Sequence, residues 1–447
     1  MDSKTRAEQI LRVNPMYLSH TGASLLGGDL YANKANSKLE LERRHMYQGR
    51  YKNATNNLAL NSVSTFYIQP GTIIGQCYLV GLLTFPQHAR ASDGWMYDAI
   101  QQLNIIVSGS SSIQNLQITG RSHFDMVMAM AASQEKRNEL LECCPAFNLT
   151  SAGAQQVGAV LLCMPWSRPE VMGMFPFDTA MIKSQIIVQV TWKPGYKFAS
   201  GSTGNAVTMP TSFDDLYLRV NSQVELAENN FANRMAADPQ LCYGIPNIYS
   251  QSFSTPVTLT SGQETAISLT SFPSAQLEAI LVSAVPQSWV GAASTLQYSN
   301  SVIGIPFKSM RVLFNGQVLL QYDYENEDKI QSCLKNDRTA SCYNVLNTVS
   351  VAAAATNGYF ENRVHIIPFG YEVSKFLRSR RMENLQSYQG STIQIFITPS
   401  DNLPYQTDLI TRSNLSVPSA VTYDVNFTYL TNSIIEVKNF STSQILS

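Results

Sequence analysis

Two short stretches decide how this 447-residue chain is read: Asn104-Ile105-Ile106-Val107-Ser108-Gly109 and, at an offset of 207, Arg311-Val312-Leu313-Phe314-Asn315-Gly316. Each is an apolar run that ends in a polar residue and a glycine, the signature of a strand entering a turn. Two further pairs follow in the same order. Met164-Pro165-Trp166 matches Ile367-Pro368-Phe369 at an offset of 203, and Val188-Gln189-Val190 matches Ile393-Gln394-Ile395 at an offset of 205. One such match carries little weight in a strand-rich chain; three in one order at nearly one offset indicate a duplicated unit. Gly109 to Pro165 spans 56 residues and Gly316 to Pro368 spans 52, so each half carries a long excursion at an equivalent place.

Working outward, short runs rich in Val, Ile, Tyr, Phe and Thr alternate with Gly, Pro, Asn and Ser clusters from about Ser62 onward. The first set comprises Ser64–Ile68, Cys77–Phe85, Leu103–Val107, Val157–Met164, Gln185–Trp192 and Leu216–Val224. The second comprises Ser250–Thr260, Gln276–Val285, Met310–Leu320, Arg363–Ile367, Thr392–Thr398 and Val421–Leu430. Many short strands with few helices argue for β-sandwiches. Phe124–Leu141 and Glu325–Leu334 have helical spacing inside the two excursions. A linker is expected near Ala236–Pro246.

The first 58 residues read as an arm. Thr5 with Glu8 forms a capping box for a short helix through Ile10, Leu11 and Val13, ended by Asn14-Pro15. Gly22–Gly28 is glycine-rich, and Ser37 with Glu40 repeats the capping signal ahead of Leu41, Arg43, Arg44 and His45, predicting a second short helix. Residues 1–52 hold nine Lys or Arg and five acids, a net of +4; the remainder holds 22 and 27, a net of −5.

The bulk numbers exclude several classes. At this length at least two cores are expected. Charged residues are 14%, against about 25% in an average soluble protein. The net charge of −1 provides no global field for wrapping nucleic acid or adhering to anionic lipid. The cysteines (Cys77, Cys143, Cys144, Cys163, Cys242, Cys333 and Cys342) are odd in number and show no C-x-x-C spacing, so they read as buried, reduced thiols. Met1–Arg6 leads into no apolar signal core, and the longest apolar run, Val157–Met164, is too short to span a bilayer. Synthesis in a reducing cytosol or nucleus is therefore the expectation, and the N-x-[ST] sequons at Asn53, Asn148, Asn414, Asn426 and Asn439 read as chance matches.

Catalytic chemistry finds no support in the residues. The histidines His20, His45, His88, His123 and His365 lack metal-ligand spacing. No nucleophile elbow, dinucleotide fingerprint or Walker loop occurs; Gly22–Gly27 lacks the spacing of the first. His123 and Asp125 are the nearest approach to a catalytic pair, but two residues apart on a helix they do not face each other. Arg378-Ser379-Arg380-Arg381 reads as a solvated or salt-bridged helix face before it reads as a phosphate site. Asp323, Glu325, Glu327 and Asp328 depart from the calcium-loop order and read as a helix start. Phe66-Tyr67 lacks interleaved bases, so strand core or strand surface is favoured over a nucleobase platform. No catalytic, cofactor-binding or metal residue is assigned.

The strand-Pro-aromatic-helix-strand unit, present as Val157–Trp192 and again as Arg363–Thr398, resembles the later strands of the double jelly-roll major capsid proteins of the tectivirus and adenovirus lineage. That lineage includes large DNA viruses of protists, virophages and polinton-like viruses. Met174–Ala180 leading into Ser184–Val188, and the D-like strand Leu103–Gly109 with its long excursion, are similar in style. The resemblance covers about residues 60–435 but lacks the Tyr-Leu-Thr-Gly-Asn-Pro type of N-terminal motif of algal-virus capsid proteins. It implies an all-β chain of two tandem eight-stranded jelly-roll sandwiches with helical insertions and a partly helical N-terminal arm, divided as 1–58, 59–236 and 237–447. It further implies a structural subunit, not an enzyme, that forms homotrimeric, pseudo-hexagonal capsomers of an icosahedral dsDNA-virus capsid. Its expected partners are itself, minor capsid and penton proteins and, through the arm, an internal membrane, with no sequence-specific nucleic acid; its expected location is the virion. The rivals are a carbohydrate-active paired jelly-roll enzyme or glycan-binding module, which requires carboxylates converging beside aromatics, a secreted lectin or adhesin, and a penton or spike protein.

Overall fold

The computed structural model describes residues 45–52, 56–68, 73–91, 94–107, 113–130, 139–162, 164, 177–178, 185–201, 207–224, 242–269, 276–286, 307–323, 364–368, 392–399, 405–408, 413–416, 420–438 and 441–445. Eight main strands come first: β1 (His45–Lys52), β2 (Val63–Ile68), β3 (Ile73–Phe85), β4 (Ile100–Val107), β5 (Ile113–Ile118), β6 (Ala154–Leu162), β7 (Ile186–Trp192) and β8 (Asp215–Val224). Eight more follow: β9 (Cys242–Thr260), β10 (Thr265–Leu269), β11 (Gln276–Pro286), β12 (Phe307–Phe314), β13 (Gln317–Asp323), β14 (Val364–Pro368), β15 (Ile393–Pro399) and β16 (Ala420–Lys438). The first set pairs in the orders β1-β8-β3-β6 and β2-β7-β4-β5, and the second in β9-β16-β11-β14 and β10-β15-β12-β13. Adding eight to each label of the first set gives the second. Two four-stranded sheets so wound form a jelly roll, and the chain contains two.

Alternation builds both cores. Along β7, Ile186, Val188, Val190 and Trp192 are buried while the residues between them are half-exposed, and β15 repeats this with Ile393, Ile395 and Ile397. In β2, Ser64, Phe66 and Ile68 point inward and Val63 and Tyr67 outward. The first core adds a five-residue helix, α1 (Trp95–Ala99), every residue of which is buried. Room for it comes from Gly81 and Gly158, cross-strand partners in the β3–β6 ladder. A Cβ on Gly81 would stand 2.6 Å from the Met96 methyl, and one on Gly158 would stand 2.8 Å from the Trp95 ring. Trp95 then stacks on Phe198 and meets Phe85 and Phe147 edge-on. Trp192 donates its indole N–H to Ser64 Oγ at 2.9 Å.

The first and third sequence pairings fall on equivalent strands; of the second, Ile367 and Pro368 end β14 and Met164 follows β6, the rest lying outside the described residues. Asn104–Val107 lies in β4 and Arg311–Phe314 in β12, the fourth strand of each sandwich. Even the irregularities coincide: the β4–β5 ladder bulges between Ile105 and Ile106, and the β12–β13 ladder between Val312 and Leu313. Asn315 and Gly316, with φ of 47° and 81°, make the two-residue turn between β12 and β13 and divide the predicted strand Met310–Leu320 in two.

Other expectations change. His45–Lys52, read with the arm, is a strand paired along its whole length to β8, so the helix predicted to reach His45 does not include that residue. Cys242–Pro246, read as linker, begins β9 and pairs with Ile434–Lys438. Cys77 and Cys144 are buried free thiols, as expected, but Cys143 is exposed. The Phe124–Leu141 helix begins earlier, as α2 (Gly120–Met130), and is helical again at 139–142. The helices predicted near Thr5 and at Glu325–Leu334, the Gly22–Gly28 stretch and Arg378–Arg381 lie outside the described residues.

Candidate assembly surface

The residues singled out for chemistry are placed as structural groups. His123 lies on α2, fully buried; its Nε2–H donates to the Leu161 carbonyl at 2.9 Å and its ring stacks on Tyr97. Burial pushes its pKa down to about 4, outweighing the hydrogen bond to Leu161 that acts the other way, so the imidazole is neutral at ordinary pH. A neutral ring held by a strand carbonyl ties α2 to β6. Burial likewise pushes the Cys77 thiol up to about 12, which makes it inert. Phe66 is core and Tyr67 is exposed on the outer face of β2, so each takes one of the two strand roles. Of the acidic patch only Asp323 is described, at the end of β13. Among the described residues no group of three or more His, Cys, Asp or Glu could hold a metal ion, and no helix is long and apolar enough to cross a membrane.

What the fold does build is a joint between its two sandwiches. β5, at the edge of a first-sandwich sheet, pairs in parallel with β9, at the edge of a second-sandwich sheet, through Leu116 with Ser250 and Gln117 with Gln251. Thr119 N–H donates to Ser252 Oγ at 2.8 Å just beyond the pair. The two sheets thereby become one continuous sheet. α2, which follows β5 directly, lies against β16 and β11 of the second sandwich. That contact explains why Leu281, Ser283, Asn426, Thr428 and Leu430, which alternate with core residues and so occupy the outer face of their sheet, are all buried. The burial of Asn426 also removes one sequon from reach of a glycan.

Sequence reasoning missed this joint. Its local signal is the dipeptide Leu116-Gln117, which recurs as Leu320-Gln321 at the equivalent place in β13: Leu116 pairs with Ile105, and Leu320 pairs with Val312.

No protein-family model matches the chain, and no curated protein matches it by sequence. Solved structures do match. The PBCV-1 virus capsid aligns with 90% of this chain and 97% of its own chain, at a TM-score of 0.59 and 11% identity. The Sputnik virophage structure aligns with 91% of this chain and 88% of its own, at 0.55 and 10% identity. The Faustovirus major capsid protein aligns with 88% of this chain and 90% of its own, at 0.52 and 9% identity. Since nearly the full length of this chain and of each matched chain corresponds while few residues do, and this chain is built of two sandwiches of one strand order, its fold is the double jelly roll of viral major capsid proteins.

Proposed function

We propose that the chain is the structural subunit of a viral shell: a major capsid protein whose homotrimers form pseudo-hexagonal capsomers of an icosahedral capsid. The observation that carries this reading is the strand order, the same in both halves, in a fold shared with capsid proteins of PBCV-1, Sputnik and Faustovirus over nearly the whole length. Two similar sandwiches per chain, tripled about one axis, present six similar wedges, and a hexagonal unit tiles a large shell. The low charge fits this, because the cores of subunit contacts are depleted in charged residues. The enzyme and glycan-binding alternatives draw nothing from the geometry, in which the buried His123 is neutral and structural.

The units of this proposal are the first sandwich within 59–236, extended back to His45 by β1, and the second within 237–447. The cationic residues 1–44 serve as an arm toward an anionic internal membrane or minor capsid proteins, and penton proteins meet the capsomer at the shell's vertices. The location is the virion, after synthesis in the host cytoplasm or nucleus. Light scattering on the purified chain is expected to give three times 49.5 kDa, with three-lobed or hexagonal particles in negative stain; a stable monomer at micromolar concentration overturns the reading. Deleting residues 1–44 should leave trimers of nearly unchanged melting temperature that no longer form shells. A deletion through Lys52 removes β1 as well and tests something else.

A further inference from the structure

The joint inside the chain involves two sheet edges, and the chain has the equivalent pair left over. β5 and β9, which meet, are the fifth strand of the first sandwich and the first strand of the second. Their counterparts are β13 and β1. Each is the terminal strand of its sheet, and among the described residues no strand pairs with the outer edge of either. An open edge is a template for another strand.

Resting on the trimeric capsomer reading, we propose that the joint is repeated between chains: the β13 edge of one copy pairs in parallel with the β1 edge of a second copy. Such a contact is head-to-tail. It closes into a ring when the rotation divides evenly, and three chains with three internal and three external joints make six of one kind.

The ladders supply the register. Gly49 pairs with Val220, Val220 with Cys77 and Cys77 with Leu162, which lies three residues before Pro165. Phe253 pairs with Phe427, Phe427 with Val282 and Val282 with His365, which lies three residues before Pro368. Gly49 is thus the counterpart of Phe253, and Met46 and Tyr47 are the counterparts of Ser250 and Gln251. On the other edge, Leu320 and Gln321 correspond to Leu116 and Gln117. Leu320 of one copy therefore faces Met46 of the next, and Gln321 faces Tyr47. The counterpart of Ser252 is Gln48 and that of Thr119 is Asp323, so an acceptor-bearing residue again falls opposite a backbone N–H at this register.

Two further observations point to the same partner. β1 carries Arg50 and Lys52 and no acid, whereas β13 ends in Asp323 and carries no base, so the edges are complementary in charge. The outer face of β3, β6 and β8 is the counterpart of the face that α2 covers within the chain. It presents Tyr78, Leu82 and Tyr217, each half-buried, together with Val157, which is 51% exposed. A second copy seated at β1 would cover it.

The full-length chain carrying both Tyr47→Cys and Gln321→Cys, oxidised and run on a non-reducing gel, is expected to give covalent trimers. Neither single variant should exceed the parent, whose own cysteines, Cys143 the exposed one among those described, set the background. Val157→Asp is expected to convert the trimer peak to monomer while leaving the far-ultraviolet circular dichroism of the parent unchanged, since that side chain is half out of the fold. A parent of trimeric mass whose double-cysteine variant does not cross-link, or whose Val157→Asp variant remains trimeric, overturns the joint and leaves the capsomer standing. A monomeric parent overturns both.

Discussion

The two sandwiches have one wiring diagram and two fillings. The first closes around a helical insertion: Trp95, Met96 and Tyr97 enter between the sheets where Gly81 and Gly158 face each other, and an aromatic cluster of Phe85, Phe147 and Phe198 surrounds Trp95. Among the described residues the second is filled by its own strands, with Ile267, Ile280, Ile367, Ile393, Ile395 and Ile397 meeting Val282, Val312 and Met310. Strand order survives this exchange of contents because it depends on where turns fall and which face of each strand is apolar. The residues that fill the interior set its volume and stiffness, so they are free to diverge after duplication as long as the total volume is kept.

The difference can be broken at either end. Trp95→Ala removes the largest buried side chain of the insertion and should cost about 3–5 kcal/mol. Hydrogen exchange read by peptide should then rise in β3, β6 and β7 and stay slow in β12 and β15; uniform loss of protection would mean that the two cores melt as one. Ile395→Ala makes the mirror experiment, at roughly 2–5 kcal/mol, with the protection pattern reversed.

Acid separates the halves by a different route. His123 is neutral in the fold with a pKa near 4, and near 6.5 once unfolded. The stability it contributes is whole above pH 6.5 and is lost as pH falls toward 4, an effect of about 3 kcal/mol at the lower limit. Chemical denaturation across that range should show the loss, and His123→Asn should flatten it; an unchanged slope in that variant would assign the acid sensitivity elsewhere. Gly158→Ala pushes a methyl against Trp95 and Met96 and should cost roughly 1–3 kcal/mol by the same assay. The smallest effect belongs to the second sandwich's surface, where Nη2 of Arg311 donates to both carboxylate oxygens of Glu264 at 2.9–3.0 Å and the guanidinium lies over the Phe396 ring. Both partners are exposed, so Arg311→Ala should change the melting free energy by less than about 1 kcal/mol.

Most strands were legible because one of their faces is buried, and burial writes itself as alternation, as in Ile186–Trp192 or Ile393–Pro399. β1 was hidden because Arg50 and Lys52 blur its alternation, which an edge strand tolerates, and because Arg43 and Arg44 just before it read with a helix. The start of β9 was hidden by Gly244 and Pro246, residues that read as linker; Pro246 is accommodated because this part of β9 pairs on one side only among the described residues. α1 spans five residues, too few for a helical period to emerge. The joint was illegible for a deeper reason: Leu116 and Ser250 are brought together by the completed fold, and the repeated Leu-Gln dipeptide marks equivalent strands without naming what either one pairs with. The absence of catalytic motifs was plain in the sequence, whereas the places where the chain meets itself lie in sheet edges, which have no motif.

The parallel pair that unites the sheets also sets a clock on synthesis. With about 130 residues between Gln117 and Ser250, a ribosome adding roughly 5–20 residues per second leaves the edge of β5 uncapped for on the order of ten seconds after it has emerged. For that interval the nascent first sandwich presents a bare strand beside identical nascent neighbours on the same message. Crowded translation therefore favours strand exchange between polysomal chains, and slow codons placed between β5 and β9 should lower the yield of soluble protein more than the same codons placed after β9.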